Sequence, residues 1–248
     1  MPRDEEYSYA HNRYLLLLSL LFVLEFILLA FTPYDRHDWI LENVLVLLAV
    51  LFFATTHNAF PLSRISLTLI FLFLALHEVG AHYTYSQVPY EAWGQSLFGI
   101  SLNGLFGWER NNFDRVVHFL YGLLLAYPLR EFFLRVVDVK GFWGYFFPLL
   151  VTMASSMLYE LVEWGAAVYF GGDLGIAYLG TQGDVWDAHK DMLLATIGAL
   201  LAMLLTAAIN AALQKDFGRE WMHSFRVKHK LPLGENALMR LWRQRRRK

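Results

Sequence analysis

The stretch ISLTLIFLFLALHEVGAHYTY, residues 65–85, decides the fold. Its first part is almost wholly apolar, and ionisable side chains appear only towards its end, where Glu78 and His82 are four residues apart. A helix needs about 20 apolar residues to cross the hydrocarbon core of a bilayer. Residues four apart lie on one face of a helix. The stretch therefore predicts a membrane-spanning helix that carries polar groups near one end.

Five further segments have the same character, and the composition agrees, with 56% hydrophobic residues, 17% aromatic residues and a mean hydropathy of +0.36. A soluble helical core is the alternative, but a surface helix shows a polar face, which residues 15–24 lack. We predict an all-α polytopic membrane helix bundle with six transmembrane helices. The six runs are Tyr14 to Phe31, Trp39 to Thr56, Ile65 to Tyr85, Asp114 to Phe133, Phe142 to Phe170 and Trp186 to Leu213.

The basic residues predict the orientation of this bundle. Six crossings put both termini on one side, and 17 of the 21 Lys and Arg residues fall on that side. Only Arg36, Arg110, Arg115 and Lys190 fall on the other. Because cytoplasmic segments carry the excess of basic residues, both termini are predicted to be cytoplasmic. In a bacterial cell this describes a multi-pass protein of the inner (plasma) membrane.

The chain divides into a transmembrane domain, residues 1–214, and a basic cytoplasmic tail, residues 215–248. Phe217, Trp221 and Phe225 recur every four residues ahead of the basic end, which is typical of a helix lying on an anionic inner leaflet. A topology signal on a disordered end is the alternative. The chain has no cysteine, which excludes disulfides and thiolate metal ligands. We expect membrane lipids as partners and no nucleic acid.

Carboxylates and histidines fall at helical spacing in four of the six runs, near the same predicted end of the bundle. The sets are Glu78 with His82, Asp114 with His118, Glu160 with Glu163, and Asp184, Asp187 and Asp191. Charges held within a membrane are costly and need partners. The basic residues of that end are expected to lie nearer the surface than the acids. A divalent cation then satisfies the acids best, and oxygen and nitrogen ligands suit zinc, manganese, iron or magnesium.

These residue types suggest separate roles. We predict metal ligands, candidate catalytic residues and two arginines that bind a substrate phosphate. The predicted ligands are His82, Asp114, His118, Glu163, Asp187 and Asp191; the catalytic candidates are Glu78, Glu160 and Asp184; and the substrate-binding residues are Arg110 and Arg115. The alternative to a metal site is a structural network of helix caps and hydrogen-bonded pairs.

Two classes of function follow from such a site. The first is a metal-dependent hydrolase or transferase acting on a lipid or cell-envelope precursor. The second is a proton- or cation-coupled transporter that uses the same acids as a relay. A transporter needs polar groups in both leaflets, whereas residues 193–208 are almost featureless, so a one-sided site is favoured. A noncatalytic membrane scaffold stays open.

Four stretches carry a resemblance to a known family: HEVGAHYTY from His77, ERNNFDRVVHF from Glu109, YELVEW from Tyr159 and LGTQGDVWDAHKDM from Leu179. Together they resemble the YjdF-like family of bacterial inner-membrane proteins, a domain of unknown function. The resemblance implies the six-helix topology and the importance of these positions, and it names no reaction. A more distant similarity is to VanZ-like membrane proteins, which implies envelope chemistry. Asp114 and His118 fit that pattern, whereas Glu163 stands where glutamine is usual and Ala195 breaks the asparagine position.

Overall fold

A computed structural model of the protein describes residues 2–172, 175, 179, 181–214, 217–228 and 233–246. The regular elements within these residues are all helices. They are α1 (Pro2–Ala30), α2 (Arg36–Thr56), α3 (Arg64–His82), α4 (Tyr90–Phe98), α5 (Leu102–Phe106), α6 (Phe113–Arg135), α7 (Trp143–Phe170), α8 (Asp187–Leu213), α9 (Phe217–Ser224) and α10 (Leu233–Arg245).

Six of the described helices are long and apolar enough to cross a membrane. They are α2, α3, α6, α7, α8 and, within α1, His11–Ala30. The predicted all-α bundle with six spans is therefore confirmed, whereas the cytoplasmic location of the termini stays a prediction. Large apolar side chains cover the outside of the bundle; on α1, for example, Leu16, Leu20 and Leu28 are each more than half exposed. A helix that is apolar on its outer face suits lipid.

Helix α6 lies at the centre of the bundle and packs against α3, α7 and α8. Its closest neighbour is α8, and two glycines make that approach possible. A methyl group on Gly122 would lie 1.9 Å from the carbonyl oxygen of Ala195, and one on Gly198 would lie 2.1 Å from that of Phe119. Small residues that let backbones meet are how helices pack closely in membranes.

The two ends of the bundle differ in chemistry. We call the end where α3 stops and α6 and α8 start the acidic end, and the end where α8 stops the terminal end. Helices α1 and α2 lie outside α3 and pack against it. Helices α4 and α5 interrupt the loop that joins α3 to α6 at the acidic end.

Helix α3 stops at His82, three residues before the predicted end of its apolar run. Thr84 and Tyr85 have positive φ angles of 52° and 49°, and the N–H of Tyr85 donates to the carbonyl of Gly80 at 2.8 Å. The chain thus turns back on itself. The ring of Tyr85 then covers Gly80, where a methyl group would meet it at 2.7 Å, and its hydroxyl donates to Nδ1 of His77.

The first helix of the tail packs onto the terminal end of the bundle. The Trp221 ring in α9 lies 5.4 Å from the rings of both Phe142 and Tyr145, and Trp143 Nε1 donates to the Ser224 carbonyl at 2.8 Å. Phe217 lies 6.2 Å from Tyr145, so the aromatic stripe predicted to lie on a leaflet has at least part of its surface covered by protein. The division into residues 1–214 and 215–248, and lipid binding by the tail, stay predictions.

Candidate functional site

Three residues of α6 and α8 form the centre of the acidic end. Asp114, His118 and Asp191 each offer one ligand atom, and these atoms all lie within 4.8 Å of one another. His118 Nε2 is 3.5 Å from Asp114 Oδ1. His118 is 7% exposed and Asp191 is 2% exposed. Asp114 is half-buried, and three such groups at this spacing could hold one metal ion.

The glycine contact between α6 and α8 explains why this cluster forms. His118 lies one helical turn from Gly122, and Asp191 lies one turn from Ala195, whose carbonyl faces that glycine. The close approach of the two backbones therefore brings His118 and Asp191 together one turn nearer the surface. The sequence predicted that both residues belong to one site, and the structure shows the contact that joins them.

Helix α7, which packs against both α6 and α8, adds two carboxylates. Glu160 Oε1 lies 3.6 Å from His118 Nε2, and the Glu160 side chain is 10% exposed. Glu163 lies within electrostatic range of Glu160, Asp114 and Glu42. Asp191 Oδ1 and Glu160 Oε1 are buried and have no hydrogen-bond partner among the described residues. Buried oxygen atoms of this kind are expensive unless a donor or a cation reaches them.

Two other predicted acids are already paired with basic side chains. Asp187, which is 3% exposed, accepts from Arg110 and, at 3.1 Å, from Nη2 of Arg115. Asp184 accepts from Arg115 and, at 2.5 Å, from Lys190. The expectation that these basic groups lie nearer the surface than the acids thus fails for Asp184 and Asp187, because the loop before α8 folds over the start of α6.

These pairings change the electrostatics of the outer part of the site. The hydrogen bond from Lys190, the backbone N–H of Trp186 and the Arg115 guanidinium hold the pKa of the Asp184 carboxyl well below its usual range. Asp184 is therefore ionised at neutral pH. Arg110 also donates to the carbonyl of Thr181, which ties the loop to α6. The outer acids are paired directly with basic side chains, whereas Arg110 and Arg115 act on Asp114, and Arg115 on Asp191, only at longer range.

The two predicted residues of α3 lie apart from the three-residue cluster. Nδ1 of His82 is 2.7 Å from the Leu29 carbonyl, so the ring is hydrogen-bonded to α1. Glu78 is fully buried, and neither of its carboxylate oxygens meets a donor in hydrogen-bond geometry among the described residues. Asn43, Glu25 and Glu42 lie within its electrostatic range.

The polar network at this end extends beyond the predicted site residues. Glu42, which is 3% exposed, accepts a hydrogen bond from Tyr159 at 3.3 Å, and its backbone carbonyl faces Nε2 of His77 at 3.3 Å. A carbonyl only accepts, so Nε2 of His77 donates, and Nδ1 accepts from Tyr85. Burial raises the pKa of the Tyr85 hydroxyl, which keeps it a donor. An acid inside the apolar run of α2 was the available sequence signal for Glu42; nothing in the pattern pointed to Tyr85.

The comparisons with known proteins give the family. Residues 14–212 match a family described as "Predicted membrane protein (DUF2238)". This chain belongs to that family. It is also 34% identical over 196 residues to the inner membrane protein YjdF of Escherichia coli (strain K12), covering 77% of this chain and 90% of that protein. The YjdF-like resemblance is confirmed, and the chain is a multi-pass protein of the bacterial inner membrane. No solved structure matches it.

The matched range bears on the site as well. Residues 14–212 include all but the outermost residues of the six spans and every acid and histidine of the acidic end, and they leave out the basic tail. The family description names no reaction, ligand or metal. The similarity to VanZ-like proteins stays a prediction.

Proposed function

We propose that the acidic end binds a divalent metal ion and uses it to hydrolyse or transfer a lipid or cell-envelope precursor. The observation that carries the proposal is the convergence of Asp114, His118 and Asp191 within 4.8 Å, on the two most closely packed helices, with His118 and Asp191 buried. The groups are two carboxylates and an imidazole, which is a ligand set used by zinc, manganese and iron. Magnesium prefers oxygen ligands, so it suits the two carboxylates but not the imidazole.

The electrostatics of the site support a cation. Asp114 lies in the range of Asp187, and Asp191 lies in the range of Asp114, Asp187 and Glu160. Buried like charges repel, and an acid at this depth costs a few kcal/mol even on the lenient membrane scales. A divalent ion offsets two of these charges and gives Asp191 Oδ1 and Glu160 Oε1 a partner.

The proposed ligand set is narrower than the sequence indicated. Asp114, His118 and Asp191 are ligands, with Glu160 or Glu163 as a fourth. His82 and Asp187 would have to give up their present partners to join them. In the alternative, a structural network, the same side chains contact one another without an ion. The metal content of the purified protein distinguishes the metal site from this network.

The chemistry that we propose is attack by metal-activated water. A divalent ion held by these residues would supply the Lewis acid that activates water for attack on an ester. Whichever of Glu160 and Glu163 is not a ligand accepts the proton from that water. Arg110 and Arg115 lie directly above, each with a buried Nε that has no hydrogen-bond partner among the described residues. They are the groups that we propose to orient a phosphate.

The test is the metal content of detergent-purified full-length protein, measured by mass spectrometry. We expect close to one ion per chain in the wild type and a loss of at least most of it in Asp191→Asn and His118→Gln. The matched control is Asp138→Asn, an exposed acid in the loop between α6 and α7 whose side chain is 81% exposed. It should keep the metal.

Melting followed by tryptophan fluorescence checks that each variant is folded. A folded wild type that purifies without metal, and takes up none from added zinc, manganese, iron or magnesium, would sink the proposal. If the metal is present, phosphate and acyl esters of lipids are the first substrates to screen, with metal-stripped protein as the blank.

One observation favours transport as a second candidate. Glu42 and Glu78 extend the buried acids onto α2 and α3, beyond the groups that one ion needs. A relay of protonatable acids has this form. Proteoliposomes with an internal pH-sensitive dye test it: proton flux that is abolished by Glu42→Gln but kept by Asp138→Asn would support transport, and no flux above that of empty vesicles would exclude a proton-coupled mechanism.

A further inference from the structure

A polar cavity lies at the terminal end of the bundle, at the opposite end from the acidic cluster. Its volume is about 680 Å³, within the range of about 300–1,000 Å³ that small-molecule sites occupy. Helices α1 and α6 and the connection between α2 and α3 surround it. Its polar lining includes His11, Asn12, His57, Asn58 and Arg135.

Arg135 is held in place at this cavity. One of its guanidinium nitrogens, Nη1, donates to the carbonyl of Pro61 at 2.6 Å and to Glu131. The guanidinium also lies over the Phe60 ring, 4.6 Å from its centre. Only Nη1 is used in the described contacts, which leaves the N–H groups of Nε and Nη2 for another acceptor. A guanidinium fixed in this way loses little freedom when it binds an oxyanion.

The carboxylate that lines the cavity, Glu131, already accepts several hydrogen bonds. Glu131 accepts from the backbone N–H of Ser63 at 2.9 Å, from the hydroxyl of Ser66 at 2.5 Å and from Arg135. Its charge is therefore balanced and its oxygens are occupied. The hydrogen-bond donors that stay available to a ligand are the Nε and Nη2 groups of Arg135 and the side-chain amides of Asn12 and Asn58, which have no described hydrogen bond. A ligand that matches them presents oxygen acceptors and negative charge.

The position of the cavity points to a lipid. His11 starts the first span, Thr56 ends the second and Arg135 ends α6, so the polar groups lie at one boundary of the spans. The remaining lining includes Leu15, Leu16 and Ser19, which run about 6–12 Å further along α1 into the apolar layer. Helix α1 packs against α3, and no close packing joins α1 to α6 among the described helices. The cavity thus has a polar end at the boundary and an apolar wall leading inwards.

We propose that this cavity binds the phosphate headgroup of an anionic phospholipid, with the acyl chains lying along α1. Arg135, Asn12 and Asn58 donate to the phosphate and glycerol oxygens. Leu15 and Leu16 contact the first carbons of the chains. The proposal does not depend on the metal site, since the two lie at opposite ends of the bundle.

Native mass spectrometry of the full-length protein, titrated with phosphatidylglycerol or phosphatidylcholine, tests the proposal. We expect phosphatidylglycerol to bind more tightly by about tenfold, which is about 1.4 kcal/mol. Arg135→Gln should remove that preference. Arg226→Gln is the matched control: it removes the same charge from an exposed residue near the same end and should leave binding unchanged.

A second variant keeps the test decisive if Arg135→Gln fails to fold. Ser19→Phe places a large side chain in the apolar part of the cavity from an exposed position and should weaken binding of both lipids. Wild-type binding in both variants would overturn the proposal, as would equal affinity for the two lipids. Displacement of phosphatidylglycerol by inorganic phosphate at equal concentration would also overturn it, by assigning the cavity to a free anion.

Discussion

The contact between α6 and α8 predicts how a single methyl group acts on both stability and the acidic end. In Gly122→Ala the new methyl group would lie 1.9 Å from the Ala195 oxygen and 2.7 Å from the Ala199 nitrogen. Real Cβ atoms do not approach other heavy atoms closer than 3.0 Å, so the two helices must separate by at least about 1 Å. No flexible side chain can yield, because both of the crowded atoms belong to the backbone.

The expected magnitude follows from two opposing effects. Overpacking of this kind costs about 1–3 kcal/mol, whereas alanine is better than glycine inside a helix by about 1 kcal/mol. Gly165→Ala in α7 is the matched control, because a methyl group there meets nothing within 4 Å. The control should gain about 1 kcal/mol and Gly122→Ala should lose up to about 2 kcal/mol, so the difference between them is the overpacking cost of about 1–3 kcal/mol.

Reversible unfolding in mixed detergent micelles, followed by tryptophan fluorescence, measures this difference. The metal content of the same samples reports on the site, since separating α6 from α8 also separates His118 from Asp191. We expect Gly122→Ala to bind less metal than the wild type and Gly165→Ala to bind as much. If the two variants unfold alike, the close crossing of α6 and α8 is refuted.

Three shorter predictions concern the layers around the site. Arg110→Gln leaves buried Asp187 with one basic partner fewer and should destabilise the protein by up to about 3–5 kcal/mol, and a second change, Asp187→Asn, should recover most of the loss in the same unfolding assay. Asp184 has a lowered pKa in the folded protein, so its contribution to the free energy of unfolding is complete above its unfolded pKa of about 3.9 and declines as the pH falls below that value. Between pH 7 and pH 3, the melting temperature should therefore fall less in Asp184→Asn than in the wild type. Trp221→Ala should lower the melting temperature, because its ring packs on the bundle, whereas Trp242→Ala, at a position 66% exposed, should not.

The sequence by itself predicted the helices well because the bilayer imposes a simple rule. A run of about 20 apolar residues has few ways to satisfy its backbone in lipid other than as a helix. Residues 65–76 illustrate this, since no soluble surface explains them. The end of α3 was less predictable. The helix ends before Tyr83, Thr84 and Tyr85 because of two contacts. His77 accepts a hydrogen bond from the Tyr85 hydroxyl, and Gly80 leaves space for the Tyr85 ring.

The candidate site divides in the same way. Helical spacing predicted that Asp114 and His118 share a face, because four residues make about one turn. It also indicated that Asp184, Asp187 and Asp191 lie on one stripe of the last span. Spacing along one helix cannot show which groups of another helix lie opposite. The pairing of Asp187 with Arg110, residues 77 apart in the chain, is such a contact.

Sequence alone therefore determined the class of protein, the number of spans and the end of the bundle that holds the acids, because these follow from local hydropathy and helical periodicity. Only the tertiary structure decided which acids meet basic side chains and which converge without them. Two glycines let α6 and α8 touch, and that contact brings His118 to Asp191, while the loop before α8 carries Asp184 and Asp187 to the arginines. These are distances between different helices, and the backbone contact that sets them exists only in the folded bundle.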